Sequence, residues 1–447
     1  AGLEVAHYSP RPIEAATLVW RLLDDKGRAL AESTSSCSEI PPGSATQLGS
    51  VRAPLESMPA PARCKLVVSI EARGDQAAAR RGSVARRGAR FENDWDIWIY
   101  PPAVTTAPPA DVTVTETLDE NAKAVLARGG KVLLLVPPSR VRPDPKLGRI
   151  ALGFSSIFWN TAWTGRQPPH TLGILCNPRH PAFAEFPTDA YSNWQWWYLV
   201  SRAGAMMLDD LPPDLRPTVQ VIDDWFTNRR LGLVFEARVG SGRLLVSSID
   251  LCSDLGSNPV ARQLRHSLLS YMASGAFRPK VECSIAQIEG LMAPESVMQK
   301  LGAKVHRADS AHTGHDAALA LDGDPRTMWH TPWGEGAPGF PHEIQIVFER
   351  AVRLGGIRLT PRLDGNPNGT IKDYALYVSP DGQNWSEPVA RGTLPPGDAV
   401  QAIEVAPTPP VRFVRLVALS GHARGPWASL GEFDVWLAVP EGERGSE

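Results

Sequence analysis

The side chains with the most evident capacity for chemistry in this chain are its acids, thiols, histidines and indoles, and their spacing narrows what each can do. Glu185 and Asp189 stand at i, i+4, the nearest local pair for a two-carboxylate hydrolysis of a glycosidic bond, which needs carboxyls about 5–9 Å apart. Pairs of this spacing also arise by chance on surface turns, so they stand only as an alternative catalytic pair. The five cysteines (Cys37, Cys64, Cys176, Cys252, Cys283) show no CxxC spacing, which argues against zinc and for buried thiols. Cys37 and Cys64 could bridge neighbouring strands in an exported protein. Cys176 sits in Leu175-Cys176-Asn177-Pro178, without the small neighbours that let a nucleophile project from a strand-to-helix elbow. Trp159, Trp163, Trp194, Trp196, Trp197 and Trp225 crowd the middle of the chain. Large indoles serve first as core or interface filler; the competing use is a wall for a sugar, with the ring face on the apolar side of a pyranose. His170 and His180 read as structural.

The elements that must position these groups change character along the chain. Residues 1–102 read as a β-sandwich, because alternating runs such as residues 16–23 and 65–70 are divided by turn residues, Asp24-Asp25-Lys26-Gly27 among them. The Arg- and Ala-rich residues 77–90 read as an exposed loop, and the Pro101-Pro102 pair stops the strand that holds Trp95, Ile97 and Ile99 on one face. Residues 103–280 switch period: a strand over 111–117, a helix over 118–127, a cap at Gly129-Gly130 and a fully buried strand over 131–136 make a βαβ beginning. A further buried strand over 242–251 and a terminal helix from Pro259 to Gly275 follow, with Val260, Leu264, Leu268 and Met272 on one stripe. This pattern resembles the three-layer α/β glutamine-amidotransferase-like, flavodoxin-like fold, kept here as a scaffold without its chemistry. Residues 281–302 read as a short helical linker. Residues 303–440 supply the many short alternating strands of a jelly-roll β-sandwich, with Ser379-Pro380-Asp381-Gly382 as a turn over Trp385.

Composition sets the limits. A chain of 447 residues exceeds what one core usually organises and predicts a multidomain protein of three domains. The near balance of 46 basic and 48 acidic side chains creates no overall field for nucleic acid or anionic lipid, so neither is expected as a partner. No apolar run approaches the roughly 20 residues of a membrane-spanning helix. The start without Met, inside strand-like sequence, suggests a processed product or a piece of a longer polypeptide, and the piece is the expectation.

Three stretches carry the most specific signal: residues 320–329 (Ala-Leu-Asp-Gly-Asp-Pro-Arg-Thr-Met-Trp), residues 360–374 (Thr-Pro-Arg-Leu-Asp-Gly-Asn-Pro-Asn-Gly-Thr-Ile-Lys-Asp-Tyr) and residues 429–436 (Ser-Leu-Gly-Glu-Phe-Asp-Val-Trp). Their order resembles the discoidin, or coagulation-factor type C, β-sandwich and in particular the family 32 carbohydrate-binding modules of secreted glycosidases. The resemblance implies a structural Ca²⁺ held at Asp322, Asp324, Thr327 and Glu432, oxygen ligands that suit a hard cation. It also implies a glycan site at Arg362, Asn368, His312 and Trp427, with Trp333 as a reserve platform; Trp329 and Trp436 read as core. Arg and Asn present paired donors to adjacent hydroxyls, and an indole stacks beneath the ring.

Residues 93–101 and the aromatic-rich residues 153–197 resemble the region that follows the catalytic barrel in glycoside hydrolase family 2, the β-galactosidase-like group. That family's catalytic glutamates sit on a (β/α)₈ barrel of typically ~250 residues, and neither that length nor its repeating pattern is present here. The expectation is a secreted or periplasmic accessory region of a glycoside hydrolase, without catalysis by this chain alone, whose last module binds galactose-like or related glycans. The alternatives are a glycosidase acting itself or with a separate catalytic barrel chain, and a structural or oligomerisation block.

Overall fold

In a computed structural model, which describes residues 1–72, 89–153 and 170–438, strand periodicity organises the first hundred residues. The strands are β1 (Gly2–His7), β2 (Ile13–Leu23), β3 (Ala29–Ile40), β4 (Gly43–Ser50), β5 (Ala62–Glu71) and β6 (Arg90–Ile99). They form a four-stranded antiparallel sheet in the order β3-β2-β5-β6 and a two-stranded β1-β4 ribbon. On β2 the alternating Leu18, Trp20 and Leu22 turn inward, where Cys64, Leu66, Ile70 and Ile99 meet them. The β2-β3 turn is the one read from Asp24-Asp25-Lys26-Gly27: Asp24 Oδ1 accepts from the backbone N–H of Lys26 (3.0 Å) and Arg28 (2.8 Å), and Gly27 supplies φ 76°. The Cys37–Cys64 bridge does not form. Cys37 pairs with Ala16 on β2, whereas Lys65, beside Cys64, pairs with Leu23 at the far end of the same strand; seven residues of strand place the thiols roughly 20 Å apart.

The middle region is built on β7 (Val112–Thr115), β8 (Lys131–Leu135), β9 (Ile174–Cys176), β10 (Met206–Met207), β11 (Val219–Val221), β12 (Leu231–Val239) and β13 (Gly242–Ser247), with helices α1 (Glu120–Ala127), α2 (Trp194–Ser201) and α3 (Pro259–Ala273). The βαβ beginning is present: β7 and β13 both flank β8 in parallel, and all five residues of β8 are buried. Asp119 caps α1, accepting from Ala122 N at 2.7 Å, and Asn258 with Pro259 starts α3, whose Leu264, Leu268 and Met272 are buried. Beyond β13 the sheet reverses. Gly240, at φ 56°, turns β12 back beside β13, and β11 and β9 continue antiparallel, so the sheet is mixed and not the parallel sheet of a flavodoxin-like domain. Gly242 cannot carry a side chain, since a Cβ there would lie 2.6 Å from the Leu126 backbone at the end of α1.

Residues 1–138 and 150–291 make one compact unit, with separate cores for the N-terminal sheet and the mixed sheet. The expected linker begins inside this unit with helix α4 (Ile285–Glu289), and α5 (Val297–Lys300) opens the second unit; each starts in a Ser/Gln capping box, from Ser284 and Ser296. The second unit also takes residues 139–149, an excursion that the sequence pattern did not reveal. Val141 bridges to Met292 there, and Arg140 donates to the Ala293 carbonyl.

The second unit holds β14 (Lys304–Ala308), β15 (Trp329–His330), β16 (His342–Val352), β17 (Leu354–Thr360), β18 (Asp373–Ser379), β19 (Ala390–Thr393), β20 (Gln401–Glu404), β21 (Val411–Ala418), β22 (Ser429–Leu430) and β23 (Glu432–Leu437). A five-stranded sheet, β14-β16-β21-β18-β19, faces a three-stranded sheet, β20-β17-β23, with β15-β22 as a short ribbon. Ile344, Ile346 and Phe348 of β16, Leu416 of β21, Ile357 and Leu359 of β17, and Phe433 and Val435 of β23 fill the space between them together with Trp329. Burying each such side chain contributes about 1.5–3 kcal/mol, and this core fixes the strand ends from which the functional loops spring. Among the described residues, no helix is long and apolar enough to cross a membrane.

Candidate functional site

Three loops and a short segment meet at one rim of the C-terminal sandwich. The loop after β17 carries Arg362 and Asn368, the loop after β15 carries Trp333, the loop before β22 carries Trp427, and residues 310–316 bring His312 and His315. Their side chains wall a cavity of about 290 Å³ lined by His315, His330, Trp333, Gly334, Arg362, Asn366, Asn368 and Trp427. Four of the five residues expected for a glycan site (Arg362, Asn368, Trp427 and Trp333) therefore share one concave surface.

The loop after β17 is rigid for reasons visible in its sequence. Asp364 grips the Arg362 guanidinium through both carboxylate oxygens, Nε donating to Oδ1 at 2.7 Å and Nη2 to Oδ2, while Nη1 donates to the Asn368 carbonyl at 2.6 Å. The guanidinium holds the Asp364 carboxyl below the usual carboxylate range. Asn366 accepts from the Asn368 backbone N–H at 3.0 Å, and Gly369, at φ 85°, packs where a Cβ would meet Ser429 Oγ at 2.8 Å and His330 Nε2 at 3.1 Å. That close approach seats Asn368 against the β15-β22 ribbon.

His312 arrives in a different role from the one expected. Its ring stacks on Trp333 (centroids 3.4 Å apart, planes 3° off parallel), backing the indole, and the wall positions go to His315 and His330 instead. His330 is buried, and its Nδ1 meets the Thr331 carbonyl at 2.6 Å. Burial first, helped by the neighbouring Arg362 and His315 charges, holds its imidazole below the ordinary histidine value against hydrogen bonds to the Thr331 and Asn368 backbone. Neither residue was singled out from sequence; the available signal was the His-x-x-His spacing of His312 and His315 and a polar His330 between Trp329 and Thr331. Trp427 lies over Gly425, where a Cβ would sit 2.1 Å from the ring, and its Nε1–H is buried without a partner.

The residues expected to hold calcium divide into two groups. Thr327 Oγ1 lies 3.0 Å from Asp322 Oδ2, 3.0 Å from the Asp324 carbonyl and 3.4 Å from the Leu319 carbonyl. Glu432 faces Asp322; burial, then the Asp322 charge, pushes its carboxyl up to about 9, and its Oε1 has no hydrogen-bond partner. Two acids and several neutral oxygens thus converge on one spot, a donor set that fits a hard cation. The Asp324 carboxylate is turned elsewhere: Arg326 Nε meets it at 3.0 Å and Arg149 Nε at 3.5 Å, so only its carbonyl faces this cluster. Arg326 also donates to the carbonyls of Leu147 and Arg149, tying residues 139–149 to the loop. Among the described residues no group of three or more His, Cys, Asp or Glu side chains is placed to hold a metal, so the three acids expected together (Asp322, Asp324 and Glu432) do not form one ligand set.

Elsewhere Asp189, His170, His180 and Trp196 are engaged in local structure. The Asp189 carboxylate is engaged by Arg63 at 2.8 Å and by Asn193 Nδ2 at 2.9 Å, and the exposed Glu185 uses its backbone to hold Gln263 and Ser267; no bond joins the two acids. His180 Nδ1 accepts from Ala182 N at 3.2 Å and caps a 3₁₀ turn, and His170 Nδ1 contacts the Thr171 carbonyl at 2.8 Å. Burial pushes the Cys176 thiol up to about 12, which leaves it protonated and unreactive. Trp196 is core, its Nε1 donating to Thr188 Oγ1 at 2.8 Å. Trp194 lies edge-on to Trp98 and donates to the Asp96 carbonyl at 2.8 Å, while Trp197 and Trp225 are largely exposed; Trp159 and Trp163 lie outside the described residues.

Comparison with known proteins agrees with this layout. Residues 305–433 match the F5/8 type C domain, and residues 1–101 and 113–293 match two families described as domains of unknown function (DUF8488 and DUF8487). A galactose oxidase of Gibberella zeae is 39% identical over 131 residues, 29% of this chain and 19% of that protein. A sialidase of Micromonospora viridifaciens is 34% identical over 143 residues, 32% of this chain and 21% of that protein. The chain thus spans about a fifth of the length of these curated relatives. Among solved structures, a family 32 carbohydrate-binding module from C. perfringens in complex with galactose is 28% identical, covering 30% of this chain and 92% of its own, with a TM-score of 0.27. The C-terminal module is an F5/8 type C domain.

Proposed function

We propose that the rim cavity of the C-terminal domain binds a galactose-like sugar, and that the chain is a carbohydrate-binding accessory region of a larger glycoside hydrolase of the family 2 type. The observation that carries this reading is the convergence of Arg362, Asn368, Trp333 and Trp427, from three separate loops, on one cavity of about 290 Å³. Two indoles offer apolar faces to a pyranose, and the guanidinium and amide offer paired donors to its hydroxyls. Arg362, already oriented by Asp364, loses little freedom on binding. A monosaccharide has few atoms to bury, so the affinity should be weak, about millimolar, and useful chiefly by tethering an attached enzyme near its substrate.

In the same reading Asp322, Thr327 and Glu432, with the Leu319 and Asp324 carbonyls, hold a calcium ion. The cation would supply the positive charge that two adjacent, partly buried carboxyls need, and it would staple the loop before β15 to β23. Calorimetric titration with galactose tests the sugar assignment: binding by the intact chain with loss of at least tenfold in the Arg362→Ala variant supports it, and undiminished binding by that variant contradicts it.

A further inference from the structure

We propose that Thr331, a buried residue outside the sugar cavity, is the positioning residue that sets the two indole walls against each other, and that sugar affinity depends on its hydroxyl rather than on its bulk. The inference deepens the sugar-site reading and rests on it. Thr331 and Ala428 are both fully buried, and neither is among the residues that line the cavity. Thr331 directly follows His330 and stands two residues before Trp333; Ala428 directly follows Trp427. Their chain neighbours His330, Trp333 and Trp427 are all walls of the cavity.

The meeting of these two residues departs from a regular strand pair. Trp329 opposite Leu430 and His330 opposite Ser429 make the β15-β22 ribbon, and Thr331 opposite Ala428 is its next step. In a regular hydrogen-bonded antiparallel pair, the two residues exchange both of their N–H to carbonyl bonds. Here the Thr331 N–H donates to the Ala428 carbonyl at 2.9 Å, but the Ala428 N–H donates to Thr331 Oγ1 at 3.0 Å. The Thr331 carbonyl, released from the ladder, meets His330 Nδ1 at 2.6 Å instead. A side-chain hydroxyl thus takes the place of a main-chain acceptor, and one residue holds the His330 ring and the Trp427 loop together. The next residue, Ser429, donates its N–H to the Gly369 carbonyl at 2.7 Å, so the register set at Thr331 reaches the loop of Asn368. Without the hydroxyl the Ala428 N–H is left buried with no acceptor, and the segment must move to bring it to water. The Trp427 indole moves with that segment. Fewer molecules then hold both indoles in place, and the apparent affinity for sugar falls by the same fraction.

The test compares Thr331→Val, which keeps the shape and removes the hydroxyl, with Thr331→Ser, which keeps the hydroxyl and removes the methyl. Without sugar, hydrogen exchange at the Ala428 amide should quicken by at least about fivefold in Thr331→Val, the effect of one unsatisfied buried N–H, and the Trp427 indole ¹⁵N–H signal should shift. The amides of Ile344 and Ile346 in the five-stranded sheet should stay protected, as the check that the fold is kept. An Ala428 amide and a Trp427 indole unaltered in Thr331→Val overturn the proposal whether or not sugar binds. With sugar, calorimetry should show galactose affinity weaker by at least about fivefold in Thr331→Val and largely recovered in Thr331→Ser. Undiminished affinity in Thr331→Val contradicts the proposal. So does a loss of the same size in Thr331→Ser, which assigns the effect to packing and decides the matter even if Thr331→Val does not fold. A wild-type chain that binds no galactose counts against the sugar reading and leaves the exchange arm to decide the role of Thr331.

Discussion

Arg362 shows how one side chain becomes a recognition element through its neighbours. A lysine in its place could not keep two parallel contacts to Asp364 and a third to the Asn368 carbonyl, so Arg362→Lys should weaken galactose binding by at least tenfold in calorimetry while retaining its charge. Gly369 is under the tightest local constraint: Gly369→Ala forces a side chain into φ 85° and against Ser429 and His330, and should lower stability by about 1–3 kcal/mol, seen as a shift in the thermal midpoint. Arg362 and Asn368 could be placed on one loop from the sequence because the resemblance to the discoidin-type sandwich runs through residues 360–374, where Asp364-Gly365-Asn366-Pro367 marks a turn. His315 and His330 were not, because their places depend on distant pairings: His330 lies in the β15-β22 ribbon, which is set by Trp329 opposite Leu430 and by Thr331 N–H to the Ala428 carbonyl. His312 was expected at the sugar and instead backs Trp333, since ring stacking is a tertiary fact.

At the scale of elements, the loop before β15 and the strand β23 are joined at Asp322 and Glu432, and a bound cation would make that joint stronger than any hydrogen bond in it. Binding to the folded form alone stabilises by mass action, so excess calcium should raise the thermal midpoint and chelation should lower it. Glu432→Gln should abolish the calcium dependence, because the amide cannot release a proton and meet the ion as a carboxylate; a midpoint indifferent to calcium in the wild type would contradict the calcium assignment. Strand and turn positions were readable where they follow local rules, as at Asp24 to Gly27 or along α3. The direction of the strands after β13 was not. Buried apolar runs look alike in parallel and antiparallel sheets, and the reversal at Gly240 depends on a turn that periodicity does not encode. Residues 139–149 escaped for a related reason, since nothing in a short Pro- and Arg-containing stretch announces that Arg326 and Met292 will claim it.

At the scale of the whole molecule, the function proposed is one of recognition. The described thiols are free, the Cys176 thiol is pushed far above physiological pH, and, of the Glu185 and Asp189 pair, the Asp189 carboxylate is held by Arg63 and Asn193. The account therefore expects no turnover of aryl galactosides by this chain alone, a result that a simple chromogenic assay reads directly. The most direct test of the central claim is an NMR titration of the ¹⁵N-labelled chain with galactose. The indole N–H signals of Trp333 and Trp427, together with the backbone of Arg362 and Asn368, should move in a single saturable step. Saturable shifts confined to other residues, or none at millimolar sugar, would contradict it.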